Sequence, residues 1–167
     1  RPVTRKCDKS TAEGRKAARK WASDQIERAD HSGDAVRMFV DGSLRKIDGQ
    51  VRVGAGATIR TPGRMEPIEL AWQIKGATSA YLGELFATRL AMEWLEVSGL
   101  ARGRFVVIVC DCLSAIDKVA ANTHTSWNSV GTRRAVEAWK WGALLVWVPS
   151  HVKLEGNEDA DRLAKAG

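Results

Sequence analysis

Two uninterrupted apolar runs constrain the fold of this chain more than any other feature. They are Phe105–Cys110 (FVVIVC) and Ala143–Val148 (ALLVWV). Runs that are short and apolar throughout are typical of strands covered on both faces, as in the parallel part of an α/β sheet. We therefore expect a layered α/β domain in which these two strands are parallel and helices cover the sheet.

The segments around these runs predict the rest of the topology. Short strands separated by glycine and turn residues predict an antiparallel meander over Met38–Leu44, Val51–Arg60 and Glu69–Lys75. Apolar residues at helical spacing predict four helices over Ser79–Val97, Leu113–Ala121, Ser129–Trp141 and Asn157–Ala166. The order βββαβααβα predicts a mixed sheet of five strands, three antiparallel and then two parallel, flanked by helices.

The first 37 residues differ from the body that follows. Residues 1–20 contain eight basic and two acidic side chains, whereas residues 21–167 contain eighteen of each, so the whole net charge of +6 lies in the first segment. The spacing of Ser10 and Glu13 is that of a capping box, and a thin apolar stripe follows at helical period. We predict a basic N-terminal helical extension over 1–37 and one domain over 38–167. The extension is interpreted either as an arm that grips nucleic acid or as a linker helix.

Several classes of protein are excluded by composition. No apolar run approaches the roughly 20 residues that span a bilayer, and no signal-peptide pattern opens the sequence. Three cysteines, an odd number, do not form a disulfide framework. We expect an intracellular chain without membrane association that is monomeric as an isolated domain. We also expect a domain cut from a longer polypeptide, because the chain begins at Arg1 and stops at Gly167 just after a helical pattern begins.

Acidic residues stand where this topology expects apolar ones. Asp41 lies within or at the end of the first strand, and Asp111 ends the apolar run of the fourth. Glu84 lies between Leu82 and Leu85, and Asp161 lies in the last helix. Carboxylates that converge in a core repel one another unless a divalent cation compensates their charge. Asp and Glu oxygens without a Cys or His cluster favour Mg²⁺ or Mn²⁺ over zinc. Taken one at a time, each acidic residue is also explained as a cap or turn residue, so convergence stays a hypothesis at this point.

The motifs around these residues resemble ribonuclease H. They are Asp41-Gly42-Ser43, Glu84 in GELFA, Asp111 in VCDCLSA, and His151 followed by Gly-Asn-Glu-Asp-Ala-Asp161 in the last stretch. Within that family the chain most resembles the RNase H domain of non-LTR (LINE-like) retrotransposon reverse transcriptase polyproteins. The resemblance covers residues 38–167. It implies an RNase H-like α/β fold and cleavage of the RNA strand of RNA·DNA hybrids, leaving 5′-phosphate and 3′-hydroxyl ends.

The resemblance also implies roles for individual residues. Asp41, Glu84, Asp111 and Asp161 match the four metal-liganding positions for two Mg²⁺ ions, with Mn²⁺ as a possible substitute, and His151 matches a position that assists turnover. Glu84 also matches the position that contacts the RNA 2′-hydroxyl beside the cut. The expected partners are a hybrid and a fused or neighbouring reverse transcriptase. The positions implied for nucleic-acid contact are Gly42, Ser43, Ser79, Tyr81, Cys112 and Asn157.

Two other functions remain open from the sequence. The chain is also interpretable as a catalytically idle RNase H-like module that binds nucleic acid or braces a polyprotein. A DNA-acting nuclease of the same superfamily is the other alternative. The presence of all four carboxylates and His151 favours an enzyme, and the Gly-Asn-Glu-x-Ala-Asp ending favours ribonuclease H over a DNA-acting relative.

Overall fold

Five strands form one mixed sheet in the order β3-β2-β1-β4-β5. The computed structural model describes residues 10–112, 115, 119, 127–148 and 155–167. β1 pairs antiparallel with β2 and parallel with β4, β2 pairs antiparallel with β3, and β4 pairs parallel with β5. This is the predicted arrangement of three antiparallel and two parallel strands. The strands are β1 (Val36–Ile47), β2 (Gln50–Arg60), β3 (Ile68–Gln73), β4 (Val106–Cys110) and β5 (Ala143–Trp147).

Helices cover both faces of this sheet. α2 ends at the predicted glycine, Gly99, which takes a left-handed conformation at φ 68°. The predicted helix Leu113–Ala121 lies largely outside the described residues, of which Ala115 and Val119 are buried. The described helices are α1 (Ala12–Ser32), α2 (Ala80–Ser98), α3 (Trp127–Glu137) and α4 (Glu155–Ala166).

The core is divided by the sheet into two apolar clusters. The larger one packs α2 against β1, β2 and β4, with Met38, Ile108 and Leu95 fully buried. The smaller one lies on the other face and joins α1 to β4 and β5 through Ala22 and Val109 among others. α1 is therefore packed on the same sheet as the other helices and buries part of its second face.

Two elements differ from their predicted limits. β1 and β2 extend as a hairpin to the pair Ile47–Gln50, beyond the predicted end of β1 at Leu44. The part of this hairpin beyond Leu44 is largely exposed. Its side chains therefore show no clear alternation of apolar and polar residues in the sequence. α3 begins two residues before the predicted start and ends at Glu137, four residues early. Trp139 follows it in a turn, is buried, and donates its indole N–H to the carbonyl of Arg104 at 2.8 Å.

None of the helices in the described part of the chain is long and apolar enough to cross a membrane.

Candidate active site

The register of β1 and β4 brings two predicted carboxylates together. Val40 pairs with Cys110 in the parallel ladder, so the residues that follow, Asp41 and Asp111, lie side by side on neighbouring strands. Neighbouring strands lie about 4.8 Å apart. Asp41 is only 6% exposed, and its carboxylate accepts a hydrogen bond from the backbone N–H of Gly42 at 2.9 Å. Asp111 is half-buried, directly beyond the end of β4.

The first turns of α2 place Glu84 over this pair. Ser79 caps the helix by accepting a hydrogen bond from the N–H of Leu82 at 3.3 Å. The helix then approaches β1 so closely that a Cβ on Gly42 would lie 2.4 Å from the backbone nitrogen of Glu84. Only a residue without a side chain fits there, and Glu84 is consequently buried at 4% exposure against the sheet.

The thiol of Cys110 is a direct partner of Glu84. Its Sγ lies 3.2 Å from Glu84 Oε2 and donates the S–H to that carboxylate. Glu84, Cys110 and Asp111 each offer a donor atom within 4.8 Å of the others. Burial raises the pKa of the Cys110 thiol well above its ordinary value, and the nearby charge of Glu84 adds to this. The thiol is therefore a protonated donor that holds one oxygen of Glu84 in place.

Asp161 completes the group from the other face of the sheet. α4 lies against β2 at Gly56, where a Cβ would meet the carbonyl of Ala160 at 2.4 Å. Asp161 is partly exposed and forms an ion pair with Lys165 at 2.8 Å, one turn along the helix. The charge of Asp161 reaches Asp41, since it contributes to the raised pKa of that residue. The structure thus brings Asp41, Glu84, Asp111 and Asp161 together.

The pKa values of Asp41 and Glu84 show the cost of grouping these carboxylates. Burial raises the pKa of Asp41 from 3.8 to about 6, and the charges of Asp111 and Asp161 add to the rise, while hydrogen bonds from Glu84 and the N–H of Gly42 oppose it. Burial also raises the pKa of Glu84 well above its ordinary value, and the hydrogen bond and charge of Asp41 act in the same direction. The pKa of each carboxyl is therefore raised by burial, and the negative charge of the neighbouring carboxylates adds to the rise.

The donor set fits a hard divalent cation. The group offers carboxylate oxygens, which Mg²⁺ and Mn²⁺ prefer, and its one sulfur is held in the protonated form. A cation among these carboxylates would compensate the repulsion that raises the pKa values of Asp41 and Glu84. Asp41, Glu84, Asp111 and Asp161 are the residues that could hold it.

Three of the residues predicted to contact nucleic acid surround this group. Gly42 lies in β1 under the start of α2, and Ser79 is the N-cap of that helix. Tyr81 is half-buried in the first turn, where burial and the nearby Cys112 raise its pKa.

The other three are packed into the structure to different degrees. The hydroxyl of Ser43 is buried and donates to the carbonyl of Ala164 in α4 at 2.7 Å. The N–H of Cys112 donates to the sulfur of Cys110 at 3.4 Å, and Cys112 is half-buried. Asn157 is 6% exposed, and its Oδ1 has no hydrogen-bond partner among the described residues. His151 lies outside the described residues.

Two further side chains belong to the site and were not predicted. Cys110 was interpreted as a buried thiol, and no sequence pattern pairs it with Glu84, 26 residues away. Lys165 was not singled out, although its spacing of four residues from Asp161 on a helix is a recognisable ion-pair signal. The hydrogen bond to Asp161, and then the charge of that carboxylate, raise the pKa of Lys165, which keeps a cation beside the carboxylates.

Comparisons with known proteins agree with this fold. The family model described as RNase H matches residues 33–167. No curated protein sequence matches the chain. Among solved structures, RNase H1 from Halobacterium salinarum NRC-1 is 20% identical, with 78% of this chain and 95% of that chain covered and a TM-score of 0.61. The N-terminal RNase H domain of a Mycobacterium tuberculosis protein is 18% identical, with 80% and 98% covered and a TM-score of 0.62. LC11-RNase H1, isolated from compost, is 19% identical, with 80% and 94% covered and a TM-score of 0.62.

Proposed function

The chain belongs to the RNase H family, and we propose that it is a divalent-metal-dependent endonuclease that hydrolyses the RNA strand of RNA·DNA hybrids. The observation that carries the proposal is the convergence of four carboxylates, two of them buried, around Asp41 in the central strand β1, where β4 ends beside it. Such a grouping costs stability in the absence of a cation, and active sites are where costs of this kind accumulate.

The four carboxylates would hold the cations from fixed positions. Asp41 and Asp111 come from neighbouring strands, and Glu84 is held by the close approach of α2 and by the thiol of Cys110. Asp161 stands at the exposed side with Lys165 beside it. Two bound divalent cations would supply the positive charge that stabilises both the attacking and the leaving oxygen of a phosphoryl transfer.

The position of Glu84 also supports selection of RNA. In the motif resemblance this residue lies beside the 2′-hydroxyl next to the cut, which is the group that distinguishes RNA from DNA. Its carboxylate is buried and oriented from one side by Cys110. A fixed acceptor of this kind favours a strand that carries a hydroxyl at that position.

The motif resemblance supports several finer proposals. We assign Mg²⁺ as the cation, with Mn²⁺ able to replace it, and 5′-phosphate and 3′-hydroxyl ends as the products. His151 would assist product release. The biological setting would be removal of template RNA beside a reverse transcriptase of a retroelement.

One assay tests the activity. Labelled RNA·DNA hybrid, duplex RNA and duplex DNA are each incubated with the protein in Mg²⁺ or in EDTA. We expect cleavage of the RNA strand of the hybrid alone, and only with Mg²⁺. Asp111→Asn should abolish cleavage and retain hybrid binding, whereas Asp159→Asn, on α4 but engaged with Arg60 and Arg162, should cleave as the parent does.

The other outcomes separate the alternatives. Binding of hybrid without cleavage of any substrate would favour the idle module. Cleavage of duplex DNA would favour a DNA-acting nuclease. End-labelled products that lack a 5′-phosphate would contradict the assigned product chemistry while leaving the substrate class intact.

A further inference from the structure

Basic side chains are concentrated in the first half of α1 and acidic ones in its second half. Residues 12–20 carry four basic side chains and one acidic one, while residues 21–32 carry one basic and three acidic ones. Thr11 caps the helix, and Glu13 in the first turn suits the positive end of the helix dipole. The four basic side chains follow Glu13 and gain nothing from the dipole.

The basic side chains also repel one another. Arg15 and Arg19 are four residues apart, as are Lys16 and Lys20, and like charges at this spacing destabilise a helix. Lys20 is compensated by an ion pair with Asp24 at 3.1 Å. Lys16 and Arg19 are exposed and have no ion-pair partner among the described residues. Lys16 and Arg19 therefore add repulsion that no ion pair in the described part of the chain offsets, and such a local cost indicates a function for these two charges.

The packing of α1 determines at which end of the strands these charges lie. The helix leads into β1 through Gly33, and Ala29 lines a cavity with Phe105, Val107 and Leu144 at the starts of β4 and β5. Ala18 and Ala29 are both buried and lie about 16 Å apart along the helix. A strand of five residues such as β4 is about 17 Å long.

The buried stripe of α1 is thus about as long as β4. Its Ala29 end lies where β4 begins, and Ala22 belongs to the cluster that includes Val107 and Val109 of β4. A helix that follows β4 from this start carries the exposed side chains of Arg15, Lys16, Arg19 and Lys20 toward the end of the sheet where Asp111 follows β4.

We propose that the exposed basic face of the first half of α1, formed by Arg15, Lys16, Arg19 and Lys20, binds phosphates of the RNA·DNA hybrid beside the cleavage site. The inference rests on the proposed function, because it takes the hybrid as the partner. The carboxylate group repels a polyanion, and the remaining body of residues 21–167 has no net positive charge. A cationic surface near the carboxylates attracts the phosphates of the hybrid, which the carboxylates themselves repel.

The surface also explains why the basic segment is built on a docked helix. α1 is anchored by Ala22 and Ala29 against the second face of the sheet. Anchoring fixes the charges relative to the carboxylates, so phosphates contacted by α1 and the scissile phosphate keep a constant separation.

Charge removal on opposite ends of the sheet tests the proposal. Lys16→Gln/Arg19→Gln removes two charges from the basic face, and Arg28→Gln/Arg102→Gln removes two exposed charges from the edge where β4 begins. All are introduced into the Asp111→Asn chain so that the hybrid stays intact during measurement. Affinity for a labelled 18-base-pair hybrid is measured between about 0.05 and 0.3 M salt, with thermal unfolding followed in parallel.

We expect the Lys16/Arg19 variant to lose roughly tenfold in affinity near 0.1 M salt, with a salt slope that falls by about 1 to 2. Its melting temperature should stay the same or rise by about 1 °C, because the repulsion within α1 is relieved. The Arg28/Arg102 variant should bind as its Asp111→Asn parent does. Equal affinity and slope in the two variants would overturn the proposal.

The remaining outcomes separate this proposal from the proposed function. A chain that binds hybrid through the basic face but cleaves none of it in Mg²⁺, with all carboxylates intact, contradicts the activity and leaves the surface standing. A chain that binds no hybrid overturns both. Loss of affinity accompanied by a fall in melting temperature would show that the two side chains act through the fold and not through phosphate contact.

Discussion

Asp41 and Glu84 show how strongly a single pair of residues is shaped by its surroundings. Both are almost fully buried, and both have raised pKa values for which burial is the main cause. A surface carboxylate would be ionised at neutral pH with little cost. Here ionisation of both requires a compensating cation, so proton binding and metal binding compete for the same oxygens.

This competition predicts a pH dependence for the metal-free protein. The pKa of Asp41 is about 6 in the folded state, above the ordinary 3.8. The contribution of Asp41 to the unfolding free energy is therefore fully present below pH 3.8, and it is lost as pH rises through about 6, by about 3 kcal/mol. In EDTA, Asp41→Asn should raise the melting temperature at pH 7.5 by roughly 5–10 °C and have little effect near pH 4.

Thermal unfolding in EDTA across this pH range, repeated in Mg²⁺, makes the measurement. Asp48→Asn, in the exposed β1–β2 turn, is the matched control and should leave the pH dependence unchanged. A parent chain whose stability in EDTA rises between pH 5 and 7.5 while that of Asp41→Asn does not would contradict the prediction.

The thiol of Cys110 predicts a second effect at the scale of one residue. Cys110→Ala removes the donor to Glu84 Oε2, whereas Cys110→Ser keeps a donor at that position. The alanine variant should need several-fold more Mg²⁺ for half-maximal cleavage, because a hydrogen bond to a charged group is lost. The serine variant should need an amount close to that of the parent.

Two measurements separate positioning from packing in this case. The Mg²⁺ dependence of cleavage is compared with the rise in melting temperature that Mg²⁺ produces, since both report the affinity of the site. Val109→Ala truncates the preceding residue of β4, which belongs to the cluster on the other face of the sheet. That control should lower stability without changing the Mg²⁺ requirement, and an equal change would show that Cys110 acts only through packing.

Among the elements, α2 has the greatest influence on the site, because its packing on the sheet sets the position of Glu84. Its first turns approach β1 at Gly42 and β2 at Gly54, where a Cβ on Gly83 would lie 2.7 Å from the Gly54 carbonyl. Two facing backbones without side chains allow this approach. The motif Asp41-Gly42 therefore has a packing role. The glycine that follows the carboxylate has no side chain, and this leaves room for the backbone of Glu84.

Gly42→Ala tests this seating. The added Cβ would lie 2.4 Å from a backbone nitrogen and 2.6 Å from the carbonyl oxygen of Ala80, which α2 can relieve only by moving away. We expect a loss of about 2–3 kcal/mol in unfolding free energy by denaturant titration, together with loss of cleavage.

Gly131→Ala is the matched control for that substitution. Its Cβ would meet the flexible end of Arg89 at 2.8 Å, and its position inside α3 favours alanine by up to about 1 kcal/mol. This variant should be as stable as the parent or more so. A stable, active Gly42→Ala chain would contradict the proposed seating of α2.

At the scale of the whole molecule, α1 is part of the folded body although it precedes the predicted domain. The prediction placed a boundary at residue 38, and β1 begins at Val36 with α1 packed on the sheet before it. Removing α1 would uncover buried residues of β4 and β5. Truncation therefore cannot separate the charge of this segment from its packing, whereas substitutions on its two faces can.

The buried face of α1 supplies the prediction at this scale. Ala22 is fully buried, and Ala17 is exposed on the same helix. Ala22→Glu places a charge in an apolar contact and should lower the unfolding free energy by about 3 kcal/mol or more. Ala17→Glu should change it by less than about 0.5 kcal/mol. Denaturant titration measures both, and equal effects would show that α1 is not docked.

Much of the fold was predictable because its signals are local. The apolar runs that end at Cys110 and Val148 identify buried strands. The order of elements then leaves few topologies, so the mixed five-stranded sheet was predicted correctly. The limits of β1 and α3 were less accurate. The exposed part of the first hairpin carries no apolar period, and Trp139 packs from a turn where its spacing indicated a helix.

The sequence by itself determined which carboxylates interrupt apolar segments and in what order they occur, because the cost of burying a charge makes each of them conspicuous. Their convergence was decided only by the tertiary structure. The parallel register aligns Asp41 with Asp111, a glycine contact seats Glu84 over them, and α4 delivers Asp161 from the other face. The pairing of Cys110 with Glu84 and the docking of α1 on the sheet are likewise tertiary facts. Contacts between residues distant in sequence depend on how whole elements pack, which no local pattern encodes.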